Sequence, residues 1–246
     1  MQNRYAGDVG DFGKLGLLRS LAKSGLNVGV NWYLVSANED NGDGKHTGYL
    51  DDSQFIDCDD ELLGKLGYMV YGNQRSIAMI ESMNLIPRAV YFSEELQPPQ
   101  TGGIDFRSQW HNNALKKLEG SDIVFLDPDN GLLVKSVSPG NPKSIKYIME
   151  DEIVDYYSSG HSVVFYNHRC RLNEQAYLKR FRVFFGSEDL RSAAALGIKY
   201  VRGTTRDYFF LLHPEHLSQA KRAVASLLES SWNQHFKELK LDSIML

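Results

Sequence analysis

Two cysteines, Cys58 and Cys170, are all that this 246-residue sequence holds. That is too few for a disulfide framework or a thiolate zinc site, and it predicts a reducing, cytoplasmic setting. No apolar run approaches the roughly 20 residues that span a bilayer, so no membrane segment is expected. The opening residues are polar and acidic, unlike a signal peptide. Basic excess is missing as well: 27 Lys and Arg stand against 31 Asp and Glu, a net charge of −4. A generally basic nucleic-acid coat is thereby excluded, and any such contact must be a local patch. Repeats, low-complexity tracts and linkers are absent. The chain therefore reads as one α/β domain over 1–246, with a helical opening segment over about 1–25. Core material is plentiful, at 42% hydrophobic residues with 13 Tyr and 12 Phe.

Helical and strand patterns alternate along the chain. Leu15, Leu17, Leu18, Leu21 and Ala22 recur at helical spacing. Strands are expected over 28–35, 89–92, 122–126 and 162–166, the last two as apolar runs suited to buried parallel strands. Helices are expected over 59–66, 75–84, 108–118, 144–157, 174–185 and 214–236. Segments 198–201 and 208–212 flank a polar turn over 202–207 and predict an antiparallel hairpin. This order predicts a three-layer, mainly parallel Rossmann-like sheet that ends in a hairpin.

Ligands of such sheets bind beyond the carboxyl ends of the strands. After the 122–126 strand comes Asp127-Pro128-Asp129-Asn130-Gly131. Pro128 keeps Asp127 extended and Gly131 permits a tight turn, so two carboxylates and an amide are expected to project from a stiff loop. The plain alternative is a polar loop with Asx turns. After the 162–166 strand comes Asn167-His168-Arg169, which offers an imidazole that titrates near neutrality and a planar donor fork. The loop 36–52 contains Gly44-Lys45-His46-Thr47, but Glu39 stands where a P-loop needs its leading glycine. A glycine-rich loop that admits a charged ligand remains, beside a merely mobile loop. Arg169, Arg171, Lys179, Arg180 and Arg182 interleave with Tyr177, Phe181 and Phe184, as in a patch that contacts phosphates and stacks bases. A solvated face over core aromatics accounts for the same pattern. His213 and His216 lack a third ligand, and His111, His161 and His235 read as surface or capping residues.

The strand ending in Asp127-Pro128, the helix and strand after it and the closing hairpin together resemble the class I S-adenosylmethionine-dependent methyltransferase fold. Within that group the chain is most similar to the large-subunit ribosomal RNA adenine-N6 methyltransferases of the J type. Those enzymes open with Gly-Asn-x-x-Asp-x-x-Lys, and here Gly7, Asp8, Asp11 and Lys14 stand at that spacing. Their later Asp-Pro-Pro-Tyr clamps a flipped base; here Asp129 and Asn130 replace its last two residues, so no aromatic platform stands there. The resemblance implies an S-adenosylmethionine site touching Asp11, Lys14, Gly44, Lys45, His46 and Glu94. Glu94 or Glu95 would hold the cofactor ribose. It also implies catalysis at Asp127, Asp129, Asn130 and His168, with a base amine of a nucleic acid or a small molecule as methyl acceptor. One strand fewer than the family's sheet is visible, unless 68–71 supplies it. Two other classes stay open: a metal-dependent hydrolase or nuclease built on Asp127, Asp129 and His168, and a non-catalytic nucleotide- or protein-binding module.

Overall fold

The computed structural model describes residues 1–36, 44–99, 106–170 and 172–241. Helix α1 (Val9–Lys23) precedes β1 (Val28–Asn31). Three helices follow, α2 (Ser53–Ile56), α3 (Asp60–Tyr71) and α4 (Ile77–Ser82), then β2 (Val90–Phe92) and α5 (Phe106–Leu118). Next come β3 (Ile123–Leu126), β4 (Gly131–Leu132), β5 (Tyr147–Ile148), α6 (Glu150–Ser158), β6 (Ser162–His168) and α7 (Glu174–Phe185). The chain closes with β7 (Ala194–Arg202), β8 (Thr204–Leu212), α8 (Pro214–Glu229) and β9 (Phe236–Glu238).

Seven strands form one mixed sheet in the order β2-β1-β3-β6-β8-β7-β9. β2, β1, β3 and β6 run parallel, β8 is antiparallel to both β6 and β7, and β9 pairs antiparallel with β7. The small β4–β5 pair stands apart. This is the expected three-layer, Rossmann-like α/β fold. Alternating strand residues feed two cores. Ile123 and Phe125 pack with α1, α3 and α8, whereas Val124 and Leu126 pack with α5, α6 and α7. Both faces of β3 and β6 are therefore covered, which is why these strands read as unbroken apolar runs.

The stretch 68–71 is helix, so it does not supply a further strand, and the sheet is reduced between β2 and β3 among the described residues. The helix expected over 144–157 resolves into a 3-10 turn (Pro142–Lys146), β5 and α6. Pairing of Tyr147 and Ile148 with β4 interrupts it, and the Met149 amide donating to Glu152 starts α6 afresh. The helix expected over 214–236 stops at Glu229, where Ser230 turns extended and its hydroxyl accepts the Trp232 amide. The hairpin is longer than expected. Thr204, Thr205 and Arg206 are ladder residues, and Gly203 alone, at φ +68°, makes the bend.

Three glycines bring α1 against the hairpin end of the sheet. A Cβ on Gly10, Gly13 or Gly16 would lie 2.4–2.5 Å from the Arg206 guanidinium, the Tyr200 ring and the Trp232 ring respectively. The low helix propensity of glycine is accepted there because a larger residue would push the hairpin away.

Candidate functional site

A cleft of about 270 Å³ opens at the carboxyl ends of β3 and β6, where α1 begins. Its walls come from four distant parts of the chain: the α1 start, the Gly44–His46 region, the loop after β3 and the β6–β8 ladder. Asp8 caps α1 by accepting the Asp11 amide at 2.9 Å, which fixes Asp11 and Lys14 on the turn facing β3.

Lys14 is the centre of the site. Its Nζ lies 2.6 Å from Asp11 Oδ1 and 2.6 Å from Asp127 Oδ2, and all three side chains are buried. Burial alone would discharge the amine, but Asp11 and Asp127 more than offset it and hold Lys14 protonated, its pKa raised. One ammonium cannot neutralise every carboxylate around it. Asp127 is pushed above the ordinary carboxylate range by burial, against the pull of Lys14. Asp8 is raised too, by burial and by Asp11. Asp127 spends Oδ2 on Lys14, while Oδ1 makes no hydrogen bond among the described residues.

Asp129 differs. Burial acts to raise its pKa, but the Met1 ammonium at 2.9 Å and the Gln2 amide outweigh burial and leave it lowered. The same ammonium donates to the carbonyls of Tyr33 and Asp127. Asn130 lines the cleft, and its backbone N–H donates to the Lys146 carbonyl. Gly131 holds φ +100°, and a Cβ there would sit 2.2 Å from Asn167 Oδ1, the atom that accepts the Leu132 amide. The turn after β3 is thus fixed by both backbone and packing.

His168 and Arg206 are opposed across the β6–β8 ladder, and both line the cleft. His168 Nδ1 lies 3.0 Å from the Tyr166 hydroxyl. Its pKa is lowered by partial burial and then by Arg206, which favours the neutral imidazole. A neutral imidazole can accept a proton, and Asp127 Oδ1 can accept a hydrogen bond from an amine.

Of the sequence-expected residues, Asp11, Lys14, Gly44, His46, Asp127, Asp129, Asn130 and His168 share this cleft, and Lys45 is not among its lining residues. Glu94 does not line it. Its carboxylate lies 3.2 Å from Asn113 Nδ2, its carbonyl accepts the Trp110 indole N–H, and Glu95 accepts the Ser36 amide and hydroxyl. The basic cluster is partly spent inside the fold. Arg169 forms a fork on Asp207 and also reaches Glu174, while Arg180 donates to the carbonyls of Leu132 and Leu133. Tyr177, Phe181 and Phe184 are core residues and offer no stacking platform. Lys179 and Arg182 line a separate depression with Asn173 and Lys240; Arg171 lies outside the described residues.

His111, His161 and His235 are buried, contrary to the surface reading, because each finds a partner remote in sequence: Asp155, the Ser121 carbonyl and the Gln54 carbonyl. Among the described residues, no group of three or more His, Cys, Asp or Glu side chains is arranged to hold a metal ion. Sequence reasoning missed Met1, Tyr166 and Arg206. Arg206 had one visible signal, the glycines repeating every third residue through α1, which announce something bulky pressed against that helix.

No family model matches this chain, and no curated protein matches it significantly. Among solved structures it is similar to the crystal structure of the Legionella pneumophila str. Philadelphia 1 protein LPL1258, of the family model DUF519. That similarity covers 95% of each chain at 13% identity, with a TM-score of 0.45.

Proposed function

We propose that this protein is an S-adenosylmethionine-dependent methyltransferase whose acceptor is an amine, with a nucleic-acid base as the favoured class. One observation carries the reading. The two segments that resemble the adenine-N6 enzymes, Gly7–Lys14 and Asp127-Pro128, are far apart in sequence yet meet in the 2.6 Å contact of Lys14 with Asp127. They meet at the carboxyl ends of β1 and β3, the region where ligands of open α/β sheets bind.

The cleft suits the positively charged half of the cofactor. Asp8, Asp11 and Asp127 gather around Lys14 and Arg206, so the α1 side of the cleft holds three carboxylates to two cationic side chains. Asp8, Asp11 and Asp127 would hold that half; the bound cofactor supplies an activated methyl group. Asp127 Oδ1 and Asn130 would orient the acceptor amine, and neutral His168 would take up its surplus proton. Methyl transfer of this kind depends on positioning and water exclusion more than on a strong base.

The metal-hydrolase alternative is not favoured, because Asp127 and Asp129 are already committed to separate internal cations. The test is calorimetric titration with S-adenosylhomocysteine, followed by transfer of labelled methyl groups to adenine-containing oligonucleotides. Micromolar binding, about −8 kcal/mol, is expected. Transfer should fall at least about a hundredfold in Asp127→Asn while the variant stays folded. Absence of heat at millimolar ligand overturns the reading and leaves the non-catalytic binding module.

A further inference from the structure

We infer that Arg206 is an oxyanion receptor built into this cleft, so that the ligand occupying it carries a carboxylate or phosphate beside its amine-recognition end. The inference rests on the proposed cleft being a ligand site, but not on the identity of the methyl donor.

The guanidinium is anchored from one side only. Its Nη1 donates to the carbonyls of Arg202 and Thr204, at 2.9 and 3.2 Å, which fixes the side chain to the hairpin's own backbone. Its nearest carboxylate is Asp8, whose Oδ2 lies 3.9 Å from Nη2, beyond hydrogen-bond reach. Nε makes no hydrogen bond among the described residues, and neither does Nη2. The Nε–Nη2 edge is the one that matches two oxygens of a carboxylate or phosphate side by side. Arg206 lines the cleft together with Thr204 and His168.

Gly10 is the second observation. The guanidinium packs against the first turn of α1, with Cζ, Nε and Nη2 2.4, 2.4 and 2.6 Å from where a Cβ would stand. A glycine is needed for the arginine to occupy this place, although glycine weakens the helix. The neighbouring carboxylate acts on Arg206 through charge and not through a hydrogen bond: burial and Asp11 raise the Asp8 pKa, Arg206 lowers it, and the 3.9 Å gap leaves Nη2 without an acceptor among the described residues.

The test uses the full chain labelled with nitrogen-15. The Nε–Hε resonance missing from the Arg206→Lys spectrum is assigned to Arg206. It is then followed during titration with inorganic phosphate and, separately, with acetate. A saturable shift with either anion is expected, weakened about tenfold to a hundredfold in Arg206→Gln and in Gly10→Ala, with melting curves confirming that both variants fold. A second arm compares S-adenosylhomocysteine with methylthioadenosine, which lacks the carboxylate. If Arg206→Gln weakens only the former, the oxyanion is the cofactor's own; if phosphate alone saturates, it belongs to the acceptor. A linear, unsaturated response to both anions, or saturation that persists in Arg206→Gln, overturns the inference. Saturable anion binding without S-adenosylhomocysteine binding would keep the receptor and discard the methyl donor; the reverse pattern would discard only the receptor.

Discussion

The two ends of the sheet hold similar chemistry and put it to different use. At the carboxyl ends of β3 and β6, Asp127, Lys14, Arg206 and His168 surround an open cleft. At the amino ends of the same strands, Ser162 Oγ lies 2.9 Å from His216 Nδ1, and His216 Nε2 lies 3.8 Å from Asp122 Oδ1. In residue types that is a nucleophile, a base and an orienting acid. Yet Ser162 is fully buried, and its oxygen also accepts the His213 amide. Asp122 is committed to the Asn27 amide, and His213 stacks on Tyr157 at 3.9 Å between ring centroids. Ser162, His216, Asp122 and His213 each have a partner inside the fold, and the Ser162 oxygen is buried. Across the sheet, one oxygen of Asp127 and one edge of Arg206 are left unspent. Unspent polar atoms facing a cleft, rather than the kinds of residue present, separate the candidate site from the staple.

The sharpest way to break this comparison is to unbalance the cleft. Lys14→Met strands Asp11 and Asp127 without their shared cation and should cost about 3–5 kcal/mol at pH 7 by urea denaturation. Asp127→Asn leaves Lys14 paired with Asp11 and removes the surplus carboxylate, so it should cost only about 1 kcal/mol. The pH dependence has a definite sign. Asp127 and Asp8 are raised in the fold, so their stabilising contribution is complete below the unfolded carboxylate value and is lost as pH rises through their elevated folded values. The deficit of Lys14→Met should therefore shrink on acidification from neutral pH, as the stranded carboxylates take up protons. Equal costs for the two variants would make the Lys14–Asp127 pair a staple like its counterpart across the sheet.

A smaller effect is expected at the closed end. Ser162→Ala removes the acceptor of the His213 amide and the partner of His216, which should cost about 1–3 kcal/mol in the same denaturation experiment. Ligand binding at the cleft should be unchanged, because the two ends share no side chain. Weakened S-adenosylhomocysteine or phosphate binding in Ser162→Ala would show that the ends are linked through β6.

Much of the scaffold is legible in the sequence because burial on both faces writes an apolar run: 122–126 and 162–166 announce β3 and β6 directly. The extent of the hairpin is not legible, since Thr204, Thr205 and Arg206 have turn-like polarity while their backbones pair in the ladder. The turn after β3 is readable for the same reason that it is stiff, a proline and a positive-φ glycine around two acids. What the acids face is hidden. Lys14 and Arg206 reach the cleft through tertiary packing, and no local pattern states which cation meets which carboxylate. Buried His111 and His235 escape notice likewise, because the atoms that satisfy them lie far along the chain.

The smallest effect tests the open edge of Arg206 most directly. His168 faces Arg206 across the β6–β8 ladder, and its pKa is lowered first by partial burial and second by that guanidinium, with Asp207 opposing. A histidine depressed in the fold contributes stability above its unfolded value, near 6.5, and loses it as pH falls. Arg206→Gln removes the second cause and leaves the first. The His168 ring proton, followed by NMR titration and assigned with His168→Gln, should therefore move to a higher midpoint in Arg206→Gln, and saturating phosphate should move it the same way in the unaltered protein. Burial alone would give an unmoved midpoint in both experiments. That result would mean that the guanidinium does not project its charge into the cleft, and the contrast between the two ends would then rest on Asp127 alone.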